Sequence, residues 1–188
     1  MNALFGGAFD PPHNGHVELA RKAKERFGLD RLQVLVAERP GHKDVALDAE
    51  TRLRLARATF PDDDVRLDPY PRTIDMLRAE ALDDPLFLIG ADEFSDFLDW
   101  KEPQEVLRLA RLAVATRPGF PRERLQRVLE GLDRPERVLF FEIDPMPIAS
   151  RELRERIARG EPLDDLVPPP VAALVREFGI YRPAAGLH

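Results

Sequence analysis

The sequence predicts an α/β protein built on a doubly wound, mostly parallel sheet with a helical C-terminal extension. Three observations predict it. Short apolar runs of β type recur along the chain, segments with helical spacing lie between them, and after Ile143 the alternation gives way to helix alone. Strands that alternate with helices are returned to the same direction by each crossover, which places helices on both faces of a parallel sheet.

Taken in order, strands are expected over residues 3–5, 32–37, 65–67, 86–89, 112–115 and 138–141. Between the first two, Val17, Leu19, Ala20, Ala23 and Phe27 fall on one helical face, and Gly28 ends that helix because a residue without Cβ takes the left-handed turn at low cost. Leu53, Leu55, Ala56 and Phe60 mark a second helix, starting at Asp48. Further helices are expected over 73–81, 103–109 and 122–129. Beyond residue 143, Asp-Pro-Met-Pro is a rigid break, and helical stretches over 151–159 and 171–178 flank Leu-Val-Pro-Pro-Pro. This reads as an extension packed on the sheet. The chain is expected to form a single domain over 1–188, with sheet and helices in 1–143 and the C-terminal helical part in 144–182. No internal repeat is visible, and only the tail after Tyr181 reads as loosely ordered.

Bulk composition narrows the partners. With 188 residues and 44% hydrophobic content the chain can bury a sizeable core. A formal charge of −6 supplies no global basic field, so neither nucleic acid nor an anionic membrane surface is an expected partner, and small molecules are. The lysines are Lys22, Lys24, Lys43 and Lys101 alone; the other cations are arginines, whose forked guanidinium suits phosphate oxygens. Absence of cysteine excludes disulfides, thiolate nucleophiles and cysteine zinc sites. No run approaches the ~20 apolar residues of a membrane span. The opening Met-Asn-Ala-Leu-Phe leaves no room for a leader before Gly-Gly, so a cytoplasmic location is expected. Oligomeric state is not legible.

The segment Phe5-Gly6-Gly7-Ala8-Phe9-Asp10-Pro11-Pro12-His13-Asn14-Gly15-His16 follows the first strand and opens the first helix, the position of the ligand crevice in a doubly wound sheet. Adjacent glycines let backbone approach a bound group, and a helix start offers unpaired N–H groups to an anion. Phosphate is the natural guest. His13 and His16, three apart, can face one pocket as hydrogen-bond donors. Singly, each of these residues is as well explained by an ordinary turn or cap, and the pair also fits zinc, although no third ligand is close in sequence.

The string Gly-Gly-Ala-Phe-Asp-Pro-Pro-His-Asn-Gly-His resembles the His-x-Gly-His motif of the nucleotidyltransferase superfamily in its bacterial nicotinate-mononucleotide adenylyltransferase form. Gly41-His42-Lys43, Thr73-Ile74-Asp75-Met76-Leu77, Gly90-Ala91-Asp92 with Trp100, and Arg117-Pro118-Gly119 are similar to that family's later elements in the same order. Ile148-Ala149-Ser150-Arg151-Glu152-Leu153-Arg154 resembles its Ile-Ser-Ser-Thr-x-Ile-Arg signature, and the likeness runs on through Gly179-Ile180-Tyr181-Arg182. Three positions depart: Ala8 stands for a frequent Thr or Ser, Arg72 for a Tyr, and Arg151 for a Thr.

The resemblance implies a Rossmann-like fold and adenylyl transfer from ATP, with Mg²⁺, to a pyridine mononucleotide. His13 and His16 are then donors to the α- and β-phosphates. Gly6, Gly7, Ala8 and Phe9 form the ATP turn, and Ser150, as a helix cap, and Arg154 reach the β- and γ-phosphates. Lys43, Thr73, Asp92, Trp100 and Arg117 fall on the acceptor side, with Trp100 offering a stacking surface, Thr73 holding a nicotinate carboxylate and Asp92 accepting from a ribose hydroxyl. No protein metal ligands are implied. An acceptor phosphate ionised at neutral pH needs no general base. A nucleotidyltransferase for another phosphate acceptor and a non-catalytic dinucleotide sensor remain alternatives, and nicotinate against nicotinamide stays open.

Overall fold

The computed structural model describes residues 2–41 and 44–181. Six strands, β1 (Ala3–Gly7), β2 (Gln33–Ala37), β3 (Asp64–Asp68), β4 (Leu86–Gly90), β5 (Arg111–Thr116) and β6 (Val138–Glu142), form one sheet in the order β3-β2-β1-β4-β5-β6. Every pairing is parallel. The central strands are near-continuous apolar runs because both their faces are covered, whereas edge strand β6 leaves Phe140 and Glu142 exposed.

The helices are α1 (Asn14–Phe27), α2 (Ala49–Thr59), α3 (Thr73–Glu80), α4 (Ala91–Ser95), α5 (Pro103–Leu109), α6 (Arg122–Glu130), α7 (Ser150–Ala158) and α8 (Pro169–Phe178). Local chemistry sets their ends. Gly28 takes φ 62° after α1 as expected, and Asp48 caps α2 by accepting from the Thr51 amide at 2.9 Å. Short α4 and the 3₁₀ turns Phe97–Asp99 and Pro135–Arg137 are additions to the expected set, each too short to show a period.

The sheet separates two cores. On one face Leu4, Leu35, Phe87 and Ile89 pack with α3, α5 and α6; on the other Phe5, Phe9, Val34, Val36 and Leu88 pack with α1 and α2. A third cluster corrects the expected place of the extension. Leu153, Ile157, Val171 and Val175 of α7 and α8 close on Leu55 of α2, not on the sheet. Helix α2 is amphipathic twice over: Leu53 and Ala56 face the sheet core, and Leu55 faces the extension. The tail expected to be loosely ordered lies outside the described residues beyond Tyr181.

Candidate active site

Strand order reverses direction at β1, whose neighbours β2 and β4 are reached by crossovers on opposite faces. Both faces meet at the end of β1, where Gly6 and Gly7 lie. A Cβ built on Gly6 would stand 3.2 Å from the Phe87 ring on one face, and one on Gly7 would stand 2.9 Å from the Phe9 ring on the other. The two glycines thus keep the strand end thin enough for backbone to approach a ligand crossing the sheet edge.

On the α1 face, the turn after β1 carries the two histidines. His13 is the N-cap of α1, and its backbone N–H donates to His16 Nδ1 at 3.1 Å. Because Nδ1 accepts, a neutral His16 carries its proton on Nε2 and offers that N–H as a donor. The rings lie 3.8 Å apart between centroids, 31° from parallel, with Phe9 packed against His16 at 5.1 Å. Burial pulls the His13 pKa from 6.5 down to about 4, so its ring is neutral at physiological pH. Its Nδ1 is buried and without a hydrogen-bond partner.

A charged network buttresses this turn from below. Asp10, 2% exposed, accepts from Tyr181 Oη at 2.7 Å and from the Ala46 amide at 2.6 Å, with Arg154 Nη1 3.7 Å away. Its own burial, and after it the hydrogen-bonded Asp10 carboxylate, push the Tyr181 phenol well above its usual range, so it stays a donor. Arg52, 1% exposed, donates to four carbonyls: Ala8 at 3.0 Å, Ala37 at 2.7 Å, Glu38 at 3.1 Å and Leu47 at 3.1 Å. One guanidinium therefore ties the first turn to the segment after β2. Ser150, expected as a cap, is instead the first residue of α7, preceded by the N-cap Ala149, and its hydroxyl donates to the Pro11 carbonyl at 2.9 Å. Arg154 donates to the Asp10 carbonyl at 2.8 Å. Both bind the extension to the histidine turn, which places them beside the expected ATP end.

On the α3 face lies a cavity of about 420 Å³, lined by Gly6, Gly7, Ala8, Tyr70, Arg72, Thr73 and Trp100 together with acidic Asp68, Glu93, Asp96 and Asp99. Trp100 is partly buried, packed on Phe97 and Phe87 at 5.2 and 6.4 Å, and it lines the cavity as well. Burial raises the Asp68 pKa, and the Tyr70 amide opposes this by donating to it at 3.0 Å.

The structure thus brings Gly6, Gly7, Ala8, Thr73 and Trp100 to one cavity, and Phe9, His13, His16, Ser150 and Arg154 to the adjoining turn. Asp92 and Arg117 stand at the ends of β4 and β5 but do not line the cavity; both are exposed and face each other at 3.8 Å. Lys43 lies outside the described residues. Sequence reasoning missed Asp10, Arg52 and Tyr181 as supports and Arg39 and Tyr70 as lining. An arginine at position 52, among the apolar positions of α2, was the available signal, because arginine is rarely fully buried without a task. Among the described residues no group of three or more His, Asp or Glu is arranged to hold a metal ion, and no helix is long and apolar enough to cross a membrane.

A parallel sheet of this order with an anion-receptive turn at its switch point defines a nucleotide-binding α/β protein. The cytidylyltransferase-like family model matches residues 4–156. The chain is 36% identical to a probable nicotinate-nucleotide adenylyltransferase of Thermus thermophilus, over 95% of this chain and 98% of that one, and 33% identical to one of Chlorobaculum parvum, over 95% and 97%. The chain belongs to the cytidylyltransferase-like family and, within it, to the nicotinate-nucleotide adenylyltransferases. Its fold matches the Plasmodium falciparum nicotinic acid mononucleotide adenylyltransferase complexed with NaAD, with a TM-score of 0.74 at 15% identity over 95% of this chain and 96% of that one.

Proposed function

We propose that the chain transfers the adenylyl group of ATP to nicotinate mononucleotide, giving nicotinate adenine dinucleotide and pyrophosphate in NAD biosynthesis. The observation that carries this is the meeting, at Gly6 and Gly7, of the histidine turn on one sheet face and the aromatic-lined cavity on the other. Two phosphate-bearing substrates can approach each other across that edge.

In this reading the acceptor phosphate oxygen attacks the α-phosphorus of ATP, a new P–O bond forms, and the bond to the β-phosphate oxygen breaks with pyrophosphate taking the electron pair. No side chain has to remove a proton, so the protein contributes alignment and charge stabilisation. His16 donates through Nε2 to the phosphates, and His13 orients it through the backbone bond to Nδ1. Thr73 and Trp100 receive the pyridine ring; Ser150 and Arg154 hold the triphosphate end, Lys43 serves the acceptor phosphate, and Asp92 and Arg117 border the acceptor side. A single domain contains the reaction, residues 144–182 completing its ATP end.

The donor set around the turn fits a metal that arrives on its nucleotide. Asp10, the buried carboxylate there, is engaged by the Tyr181 hydroxyl, the Ala46 amide and Arg154, so Mg²⁺ would enter with the triphosphate rather than rest on a protein cage. When bound, Mg²⁺ neutralises charge on the triphosphate. Purified protein with ATP, Mg²⁺ and nicotinate mononucleotide is expected to release pyrophosphate and dinucleotide in equal amounts. No turnover with this acceptor or with nicotinamide mononucleotide would overturn the reading in favour of a sensor or another phosphate acceptor.

A further inference from the structure

The cavity is electrostatically two-sided. The segment leading from β4 to Trp100 contributes Glu93, Asp96 and Asp99, whereas Arg39 and Arg72 come from the segments after β2 and before α3. Neither arginine has a carboxylate partner among the described residues, in contrast to Arg66, Arg78 and Arg137, which are held by Glu80, Glu102 and Asp84. Lys101 also lines the cavity but is committed to Asp75 of α3 at 2.8 Å. That ion pair places the neighbouring Trp100 beside the first turn of α3, whose N-cap is Arg72.

The Arg72 guanidinium is aimed by its surroundings. Nη1 donates to the Pro71 carbonyl at 2.9 Å, which leaves the Nε–Nη2 edge for another acceptor. The group lies over Gly41, where a Cβ would come within 2.7 Å of Nη1. Trp100 and this turn line the same cavity, so a flat ring stacked on Trp100 would hold its substituent within reach of Arg72. A carboxylate there is disfavoured beside Asp96 and Asp99 and received by the forked guanidinium of Arg72. A carboxamide can give that fork one acceptor oxygen, and its NH₂ meets a donor.

Resting on the adenylyl-transfer reading, we infer that Arg72 is a specificity-determining residue, which makes the site prefer an acceptor whose ring carries a carboxylate over one carrying a carboxamide. Arg72 is exposed at the cavity mouth, so its replacement leaves the core untouched. The test compares kcat/KM for nicotinate and nicotinamide mononucleotides in the wild type, Arg72→Gln and Arg72→Lys. Loss of a charge-assisted pair is expected to lower the acid-to-amide ratio about tenfold or more in Arg72→Gln, with Arg72→Lys in between because it keeps charge and loses the fork. An unchanged ratio in Arg72→Gln, or a ratio in Arg72→Lys no better than in Arg72→Gln, overturns the inference while leaving adenylyl transfer intact. Wild-type protein inactive with both acceptors removes the underlying reading as well, which separates the two failures.

Discussion

The two faces that meet at the end of β1 are built on opposite plans. The histidine turn rests on buried charge: Asp10 and Arg52 are each almost wholly enclosed, and the turn is pinned by Tyr181, Ser150 and Arg154 from the far end of the chain. The cavity on the other face is walled by exposed cations, Arg39 and Arg72, of which Arg72 is held by one carbonyl, and by partly buried aromatics. In the proposed reaction the side where charge would develop is held by buried partners before any substrate arrives, whereas the side proposed to select the acceptor is walled by surface residues open to single replacements. Preorganised donors lower a barrier only if they do not have to reorganise.

The comparison breaks most sharply at His16. Replacing it by Ala removes the Nε2 donor and is expected to lower kcat by about 10²–10³-fold, the usual cost of losing one preorganised donor at a developing charge. Circular dichroism should show the fold retained, because His16 lies at the surface end of α1, partly exposed. A near-normal rate would remove the histidine from the mechanism.

Support from below is tested at Arg52. Arg52→Met fits the apolar surroundings but strands the carbonyls of Ala8, Ala37, Glu38 and Leu47. A loss of about 4 kcal/mol is expected, since buried acceptors without partners each cost about 1–3 kcal/mol and relaxation recovers part of it. For a chain of this size that lowers Tm by roughly 8–16 °C. A Tm within a degree or two of wild type would mean that backbone and water satisfy those carbonyls unaided.

These two sites also mark the boundary of what the sequence makes legible. The six strands lie within one or two residues of their expected ends, because alternating apolar runs and helical spacing are local signals. That His13 and His16 share one turn, their rings 3.8 Å apart, was legible from their coincidence with two glycines after a first strand. Arg52 was not, because its partners lie up to 44 residues away and are backbone carbonyls without any side-chain signature. The extension was misplaced onto the sheet for a related reason: apolar spacing shows that α7 and α8 bury a face but not which surface covers it, and Leu55 of α2 does. Of the expected acceptor residues, Thr73 and Trp100 reach the cavity, while Asp92 and Arg117 share the strand ends without sharing the pocket.

A smaller effect sharpens the contrast through pH. His13 is held down to about 4 by burial, against 6.5 when free. Above pH 6.5 the ring is neutral whether the chain is folded or not, and the fold keeps its full stability. Between pH 6.5 and 4 the unfolded chain takes up a proton that the folded chain refuses, so stability falls as pH falls, and below 4 the loss is complete. This group alone is expected to withdraw about 2 kcal/mol between pH 7 and pH 5. Urea unfolding at both values should show that difference shrinking in His13→Asn; an equal fall in wild type and variant would place the acid sensitivity elsewhere.

The smallest effect is expected at Asp92 and Arg117. Both are exposed, and their mutual 3.8 Å approach is a surface ion pair worth at most about 1 kcal/mol. Arg117→Ala should therefore leave Tm unchanged, and with the pair outside the cavity lining, the KM for nicotinate mononucleotide should change by less than about threefold, under 1 kcal/mol. The position is informative because Arg117 follows β5, one strand further from the switch point than Trp100's segment. A KM raised tenfold or more would show that the acceptor reaches beyond the cavity to the end of β5. The adaptable region would then span three strand ends, and the rigid histidine turn would serve a site much wider than itself.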